Sequence, residues 1–287
     1  MKFGIGTAQV KADYGFLKKK LNRVDLNTIS NKFDQNIDLL ETAPSYGNAE
    51  KLIGSLKNKK IKIITKLSKL QQTSPGKCVQ EIKKNLLTSL RNLNKKKIYA
   101  ILFHDEKDII KLKHPNIKKF LQELKKKKII KKIGYACYNI EKIPSYQKIF
   151  KFDIVQFPIN VFTLSQKKIN FLSNFKNSNK IDFHARSIFL QGIALRAIPD
   201  LNGQFKKLKL KLKLIETECK KNKISRYNYL ISCIYSLKFI DYCIIGLSSI
   251  KEFLKLKKFK PKEIDLDKIQ SFYVNDKKIT DPRLWKI

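Results

Sequence analysis

The sequence predicts an α/β protein folded as a closed (β/α)8 barrel, the TIM architecture, in a single domain over residues 1–287 with a C-terminal tail from about 260. Three observations predict it. Eight short runs rich in Ile, Val and Phe recur along the 287 residues, each the length of a strand buried on both faces. Between them lie segments with apolar residues at helical spacing, the alternation that produces a parallel sheet. No Gly-, Ser- or Pro-rich linker divides the chain, so eight units point to a closed barrel rather than an open doubly wound sheet.

The elements follow in order. Phe3–Gly6 is the first strand, and Leu26, Ile29 and Phe33 mark a helix over Asp25–Asn36. Ile37–Glu41 is the second strand, with a helix over Asn48–Leu56. Lys62–Thr65 is the third and ends at Lys66; Val79, Ile82, Leu86, Leu87 and Leu90 then share a helix face over Cys78–Asn92. Ile98–Phe103 is the fourth and ends at His104, and Pro115 opens the helix that covers Asn116–Lys127. Lys132–Ala136, Asp153–Phe157, Ile181–Ala185 and Tyr242–Ile245 complete the strands, with helices over Lys167–Lys176 and from Ser249. Lys207–Leu214 alternates Lys and Leu, which is strand period. Both residues are good helix formers and the run leads into helical Ile215–Lys220, so it reads as helix.

The charge is lopsided: 62 basic against 24 acidic residues, net +38. A polyanion partner is one reading. Only six of the basic residues are arginine, whereas specific nucleic-acid readers lean on Arg forks. Lysine is spread over nearly every helix beside abundant Ile and Asn, as a compositional bias on solvated faces would leave it, so no specific nucleic-acid partner is expected. No apolar run approaches the ~20 residues of a membrane span, and MKFGIGTAQV lacks a signal-peptide core. Cys78, Cys137, Cys219, Cys233 and Cys243 are odd in number with no CxxC spacing. They read as reduced thiols in a cytoplasmic protein without a metal site.

Glu41, Lys66 and His104 stand where strands two, three and four end, and Tyr46 follows five residues after Glu41. Those ends are neighbours at one mouth of a parallel barrel, where chemistry collects. A tyrosine hydroxyl, with a reference pKa of about 10, gives up its proton more easily beside a lysine cation. A carboxylate fixes the lysine, and a histidine can orient a carbonyl oxygen. The set suits carbonyl reduction with hydride from a cofactor, since no side chain supplies hydride. Cys137 and His184 read as packed, structural residues, and Gly4–Gly6 as a weak dinucleotide signal.

The segments GIGTAQVKADYG (4–15), ETAPSYGNAEKLIG (41–54), IITK (63–66), ILFHDE (101–106), KKIGYACYN (131–139), IVQFPIN (154–160), HARSIFLQGIA (184–194) and IIGLSSIKEF (244–253) together resemble the aldo/keto reductases, above all bacterial members with an ARSxFLQG motif. The resemblance implies an NADPH-dependent barrel that reduces an aldehyde or ketone, such as a sugar or nucleotide-sugar. Tyr46 would be the general acid, Lys66 and Glu41 its tuners, and His104 would orient the substrate. Gln156 matches a carboxamide contact, and Arg186, Ser187 and Phe189 fall in the segment beside the nicotinamide. Gly246, Ser248 and Ser249 match the phosphate-binding turn, with Lys251 the nearest cation for a 2′-phosphate. The chain departs from the family in three places: Glu41 stands where Asp is usual, Ala136-Cys137 where Ser-Asn is common, and Arg186 where many members have an aromatic ring. NADH stays open beside NADPH, as do the oligomeric state and a catalytically impaired barrel acting as a binding or scaffold protein.

Overall fold

Fully buried apolar runs dictate strands covered on both faces, and eight of them close on themselves in chain order, all parallel. They are β1 (Lys2–Gly6), β2 (Ile37–Glu41), β3 (Lys62–Leu67), β4 (Ile98–Phe103), β5 (Ile130–Ala136), β6 (Ile154–Pro158), β7 (Asp182–Arg186) and β8 (Tyr242–Gly246). The computed structural model describes residues 1–10, 22–58 and 60–285. The 11–15 part of the first motif therefore lies outside the described residues, as do the last two residues of the tail.

The helices that wrap the strands are α1 (Arg23–Asn31), α2 (Ala49–Gly54), α3 (Pro75–Asn92), α4 (Pro115–Lys126), α5 (Ile143–Ile149), α6 (Gln166–Asn177), α7 (Leu208–Lys221), α8 (Arg226–Tyr235) and α9 (Ile250–Lys257). Two short ones follow, α10 (Leu266–Gln270) and α11 (Lys277–Thr280). α1 stops five residues before the expected Asn36, because the chain must turn at Asp34, whose carboxylate accepts the N–H groups of Asn36 and Ile37, to enter β2. The Lys-Leu alternation is helical, as expected. α7 buries Leu208, Leu212, Ile215 and Cys219 at helical spacing and leaves Leu210 and Leu214 exposed. No described helix is long and apolar enough to cross a membrane.

Period-two alternation sorts the strand side chains into two shells. Leu39, Ile64, Ala100, Leu102, Ile154, Tyr242 and Ile244 pack together inside the barrel, apart from the larger core between strands and helices. Full burial of each Leu, Ile or Phe in these shells stabilises by roughly 1.5–3 kcal/mol relative to exposure. Charged pairs close the amino end: Lys62 binds Asp38 at 2.6 Å, Lys132 pairs with Asp182, and both ammonium groups lie over the Tyr99 ring at 5.5 and 5.6 Å. The chemistry is left to the carboxyl end.

Candidate active site

The same period of two builds the floor of the carboxyl-end mouth. Two residues beyond Leu39, Ile64 and Leu102 of the inner shell come Glu41, Lys66 and His104, and two beyond Ile154 and Ile244 come Gln156 and Gly246. By the same count β1, β5 and β7 contribute Gly6, Ala136 and Arg186. One layer of the barrel thus presents one residue from each strand. It gathers residues that lie between 6 and 246 in sequence.

Three of the predicted residues form a chain of contacts. The Lys66 ammonium pairs with the Glu41 carboxylate and donates a hydrogen bond to Tyr46 Oη at 2.7 Å. Lys66 and Glu41 are both buried, at 2% and 4% exposure, so neither charge is relieved by water and each depends on the other. The longer acid does not spoil this contact. A β-carbon added at Gly6 would stand 3.5 Å from Glu41 Oε2, an ordinary contact, so Gly6 packs beside the carboxylate without crowding it.

Tyr46 sits in the loop between β2 and α2, half-buried, with its ring edge-on to His104 at 6.5 Å between centroids. Its acidity differs from the sequence expectation. Burial, followed by the Glu41 carboxylate, holds the phenol well above its ordinary value of 10.0, while Arg186 pulls it down. The hydroxyl is therefore protonated at neutral pH, as a proton donor must be. His104 opens onto the mouth from the end of β4. The surrounding protein, then Lys66 and Arg186, lower it from 6.5 to about 4, so it is a neutral imidazole at pH 7.

A groove of about 280 Å³ leads away from Tyr46. It is lined by Gly6 and Gln9 from the end of β1 onward, by Arg186, Ser187, Phe189 and Gly192 from the end of β7, and by Gly246, Ser248, Glu252 and Lys255 from the end of β8. The wall after β7 is held in unusual backbone. Ser187, Leu190, Gln191 and Gly192 have φ of 59, 47, 52 and 95°, a left-handed run that costs energy at the three residues with side chains. Phe189 of this wall stacks on Tyr227 of α8 at 5.0 Å.

The floor layer beside the groove suits a dinucleotide on an observation of its own, at a residue that does not itself line the groove. Gln156 is fully buried in the floor layer, and neither its amide nitrogen nor its amide oxygen finds a partner among the described residues. A carboxamide presents a matching donor and acceptor. Ala136 and Cys137 add nothing there: Cys137 is wholly buried, and burial above all pushes its thiol up, so it is a packed residue. At the other end Ser249 caps α9, its hydroxyl accepting the Glu252 N–H at 3.3 Å. Lys251 is exposed and does not line the groove. Lys255 does, with its ammonium 4.4 Å from the Tyr227 ring centroid.

A second recess opens on the far side of His104, lined by Lys69, Asp105, Glu106, Lys107, Tyr138 and Arg283 among others. Sequence reasoning gave Tyr138 no role. Its ring lies under two guanidiniums, Arg186 at 4.5 Å and Arg283 at 3.6 Å, and so joins the recess to the groove. Arg283 arrives on the C-terminal tail, gripped by Asp281 at 2.5 and 2.9 Å. The tail is anchored next to it: the Trp285 indole N–H donates to the Ile279 carbonyl at 3.0 Å, and its ring meets Phe205 edge-on at 4.8 Å.

Solved structures share this architecture. An aldo-keto reductase from Bacillus halodurans in its holo form superposes with a TM-score of 0.73 at 16% identity, over 99% of this chain and 95% of that one. A glycerol dehydrogenase from Gluconobacter oxydans gives 0.71 at 17% identity, over 94% and 89%. A point variant of Gox0644 in complex with NADPH gives 0.68 at 16% identity, over 100% and 94%. No curated protein matches the chain in sequence. At such identities the likeness shows the fold. The lineage is shown by the family model described as "Aldo/keto reductase family", which matches residues 2–271 and so takes in every strand and each predicted site residue. With the barrel, the mouth and that match in agreement, the chain belongs to the aldo/keto reductase family.

Proposed function

We propose that this protein reduces the carbonyl of an aldehyde or ketone with NADPH or NADH, and that Tyr46 is the general acid. One observation carries the proposal: a protonated Tyr46 hydroxyl accepts a 2.7 Å hydrogen bond from Lys66, whose charge is matched by buried Glu41. When bound, the reduced nicotinamide supplies hydride to the carbonyl carbon. The remaining steps belong to the chain. His104, neutral, donates an N–H to the carbonyl oxygen and orients it. Tyr46 passes its proton to that oxygen as negative charge develops there, and the Lys66 ammonium stabilises the phenolate left behind. The product is the alcohol. Gln156 would hold the carboxamide, and the turn at Gly246–Ser249 would receive phosphate.

The proposed setting is a cytoplasmic barrel acting on a small molecule, with residues beyond about 260 forming a tail that returns to the mouth. The five buried, unpaired cysteines support a reducing compartment. Oxidation of NADPH or NADH in the presence of an aldehyde panel tests the activity. Turnover that Tyr46→Phe lowers by about 10²- to 10⁴-fold, with cofactor binding retained, is the expected result. Cofactor binding with no turnover on any carbonyl would favour the scaffold reading.

A further inference from the structure

Arg186 is out of keeping with a site built only to reduce neutral carbonyls. It ends β7 in the floor layer, half-buried, and lines the groove together with Tyr46. Its guanidinium forms no ion pair with any described carboxylate; the one whose acidity it helps to strengthen, Asp281, is already held by Arg283. Its neighbour is the Tyr138 ring, 4.5 Å away, which orients the planar fork but leaves its N–H donors unmatched among the described residues. Its field reaches both Tyr46 and His104, so the cation stands close to the reacting centre. Of the other cations, Lys255 also lines the groove without an ion pair among the described residues but lies over the Tyr227 ring of α8, and the rest differ from Arg186 in their partners or place. Lys66 is consumed by Glu41, and Arg283 by Asp281. Lys69 and Lys107 lie across His104, in the recess that also holds Asp105 and Glu106.

A half-buried guanidinium without a counter-ion is costly unless a ligand supplies one, and its fork matches carboxylate and phosphate oxygens. We infer that the carbonyl substrate is an anion, with a carboxylate or phosphate group a few carbons from the carbonyl, and that Arg186 binds that group beside Tyr46. The Tyr138 ring holds the fork in place, and Arg283 on the tail closes over the same ring. The inference rests on the reductase reading of this site and names its substrate class.

The test compares matched pairs on the full chain with saturating cofactor. One arm sets succinic semialdehyde against its methyl ester, and the other glyceraldehyde 3-phosphate against glyceraldehyde. At least one anion is expected to have a kcat/KM about tenfold or more above its neutral partner, the value of one good charged contact. Which arm responds says whether carboxylate or phosphate is read. Arg186→Gln is expected to collapse that ratio, largely through KM, and Arg283→Gln to lower it by a smaller factor. Neutral partners reduced as well as both anions, or a ratio untouched in both variants, would overturn the inference while leaving the reductase reading intact. Should no carbonyl be turned over, the reductase reading falls and titration calorimetry with succinate, phosphate and dimethyl succinate decides the anion site. Binding of an anion alone, lost in Arg186→Gln, supports it; no selectivity overturns it.

Discussion

The Glu252 carboxylate accepts two hydrogen bonds from Ser248, one from the backbone N–H at 2.7 Å and one from the hydroxyl at 3.0 Å. Both residues line the groove, at the start of α9, where a helix N-terminus favours negative charge. The turn that would receive phosphate therefore already holds an anion of the chain's own. A phosphate arriving there must displace this carboxylate or lie beside it.

Cofactor choice should follow from this contact. NADPH carries one more phosphate than NADH and meets more of the repulsion. Glu252→Gln is expected to tighten NADPH by about tenfold and NADH by less. Fluorescence titration of each dinucleotide against both proteins measures the ratio; an equal change in the two would show that Glu252 does not sense the extra phosphate.

Splitting the buried pair should be more harmful than removing it. Lys66→Met leaves Glu41 buried without its cation and is expected to lower stability by about 3–5 kcal/mol. Adding Glu41→Leu to that variant is expected to recover most of the loss. Urea unfolding of the two variants measures both changes, and a double variant no more stable than the single would contradict the pairing.

Acid sensitivity should trace in part to His184. It is wholly buried inside the barrel beside Tyr242, with neither ring nitrogen partnered among the described residues, and burial above all lowers it from 6.5 to about 3. Between those values the unfolded chain binds the proton and the folded chain does not. The contribution is present above pH 6.5 and is lost as pH falls toward 3. His184→Leu is expected to flatten the fall of the urea midpoint between pH 6.5 and 4, and an unchanged slope would assign acid sensitivity elsewhere.

The strained groove wall invites a smaller change. Gly192 has φ of 95° in the left-handed run after β7. Gly192→Ala is expected to cost about 1 kcal/mol. Thermal unfolding gives the loss, and a dinucleotide titration shows whether the groove closes with it.

The barrel was legible because burial on both faces leaves strands as unbroken apolar runs. Glu41, Lys66 and His104 were legible because each interrupts or ends such a run. What escaped depends on tertiary arrival. α8 buries Tyr227 and then Tyr229, Leu230, Ile231, Ser232, Cys233 and Ile234 without a break, so it has no polar face to reveal its period. α5 has seven residues with a proline in its first turn, too short for periodicity to show. Lys255 displaced Lys251 as the groove cation because the Tyr227 ring seats it, and nothing near residue 255 in the sequence announces that ring. Tyr138 and Arg283 meet across 145 positions of chain, a contact no local pattern encodes.

Nature has also left an optical gauge at the mouth. The chain has one tryptophan, and it is Trp285, two positions after the arginine that lies over Tyr138. Every photon of indole emission from this protein therefore originates in the tail segment that lays Arg283 over Tyr138, and its colour reports how closely that segment is seated against Phe205, with no label attached.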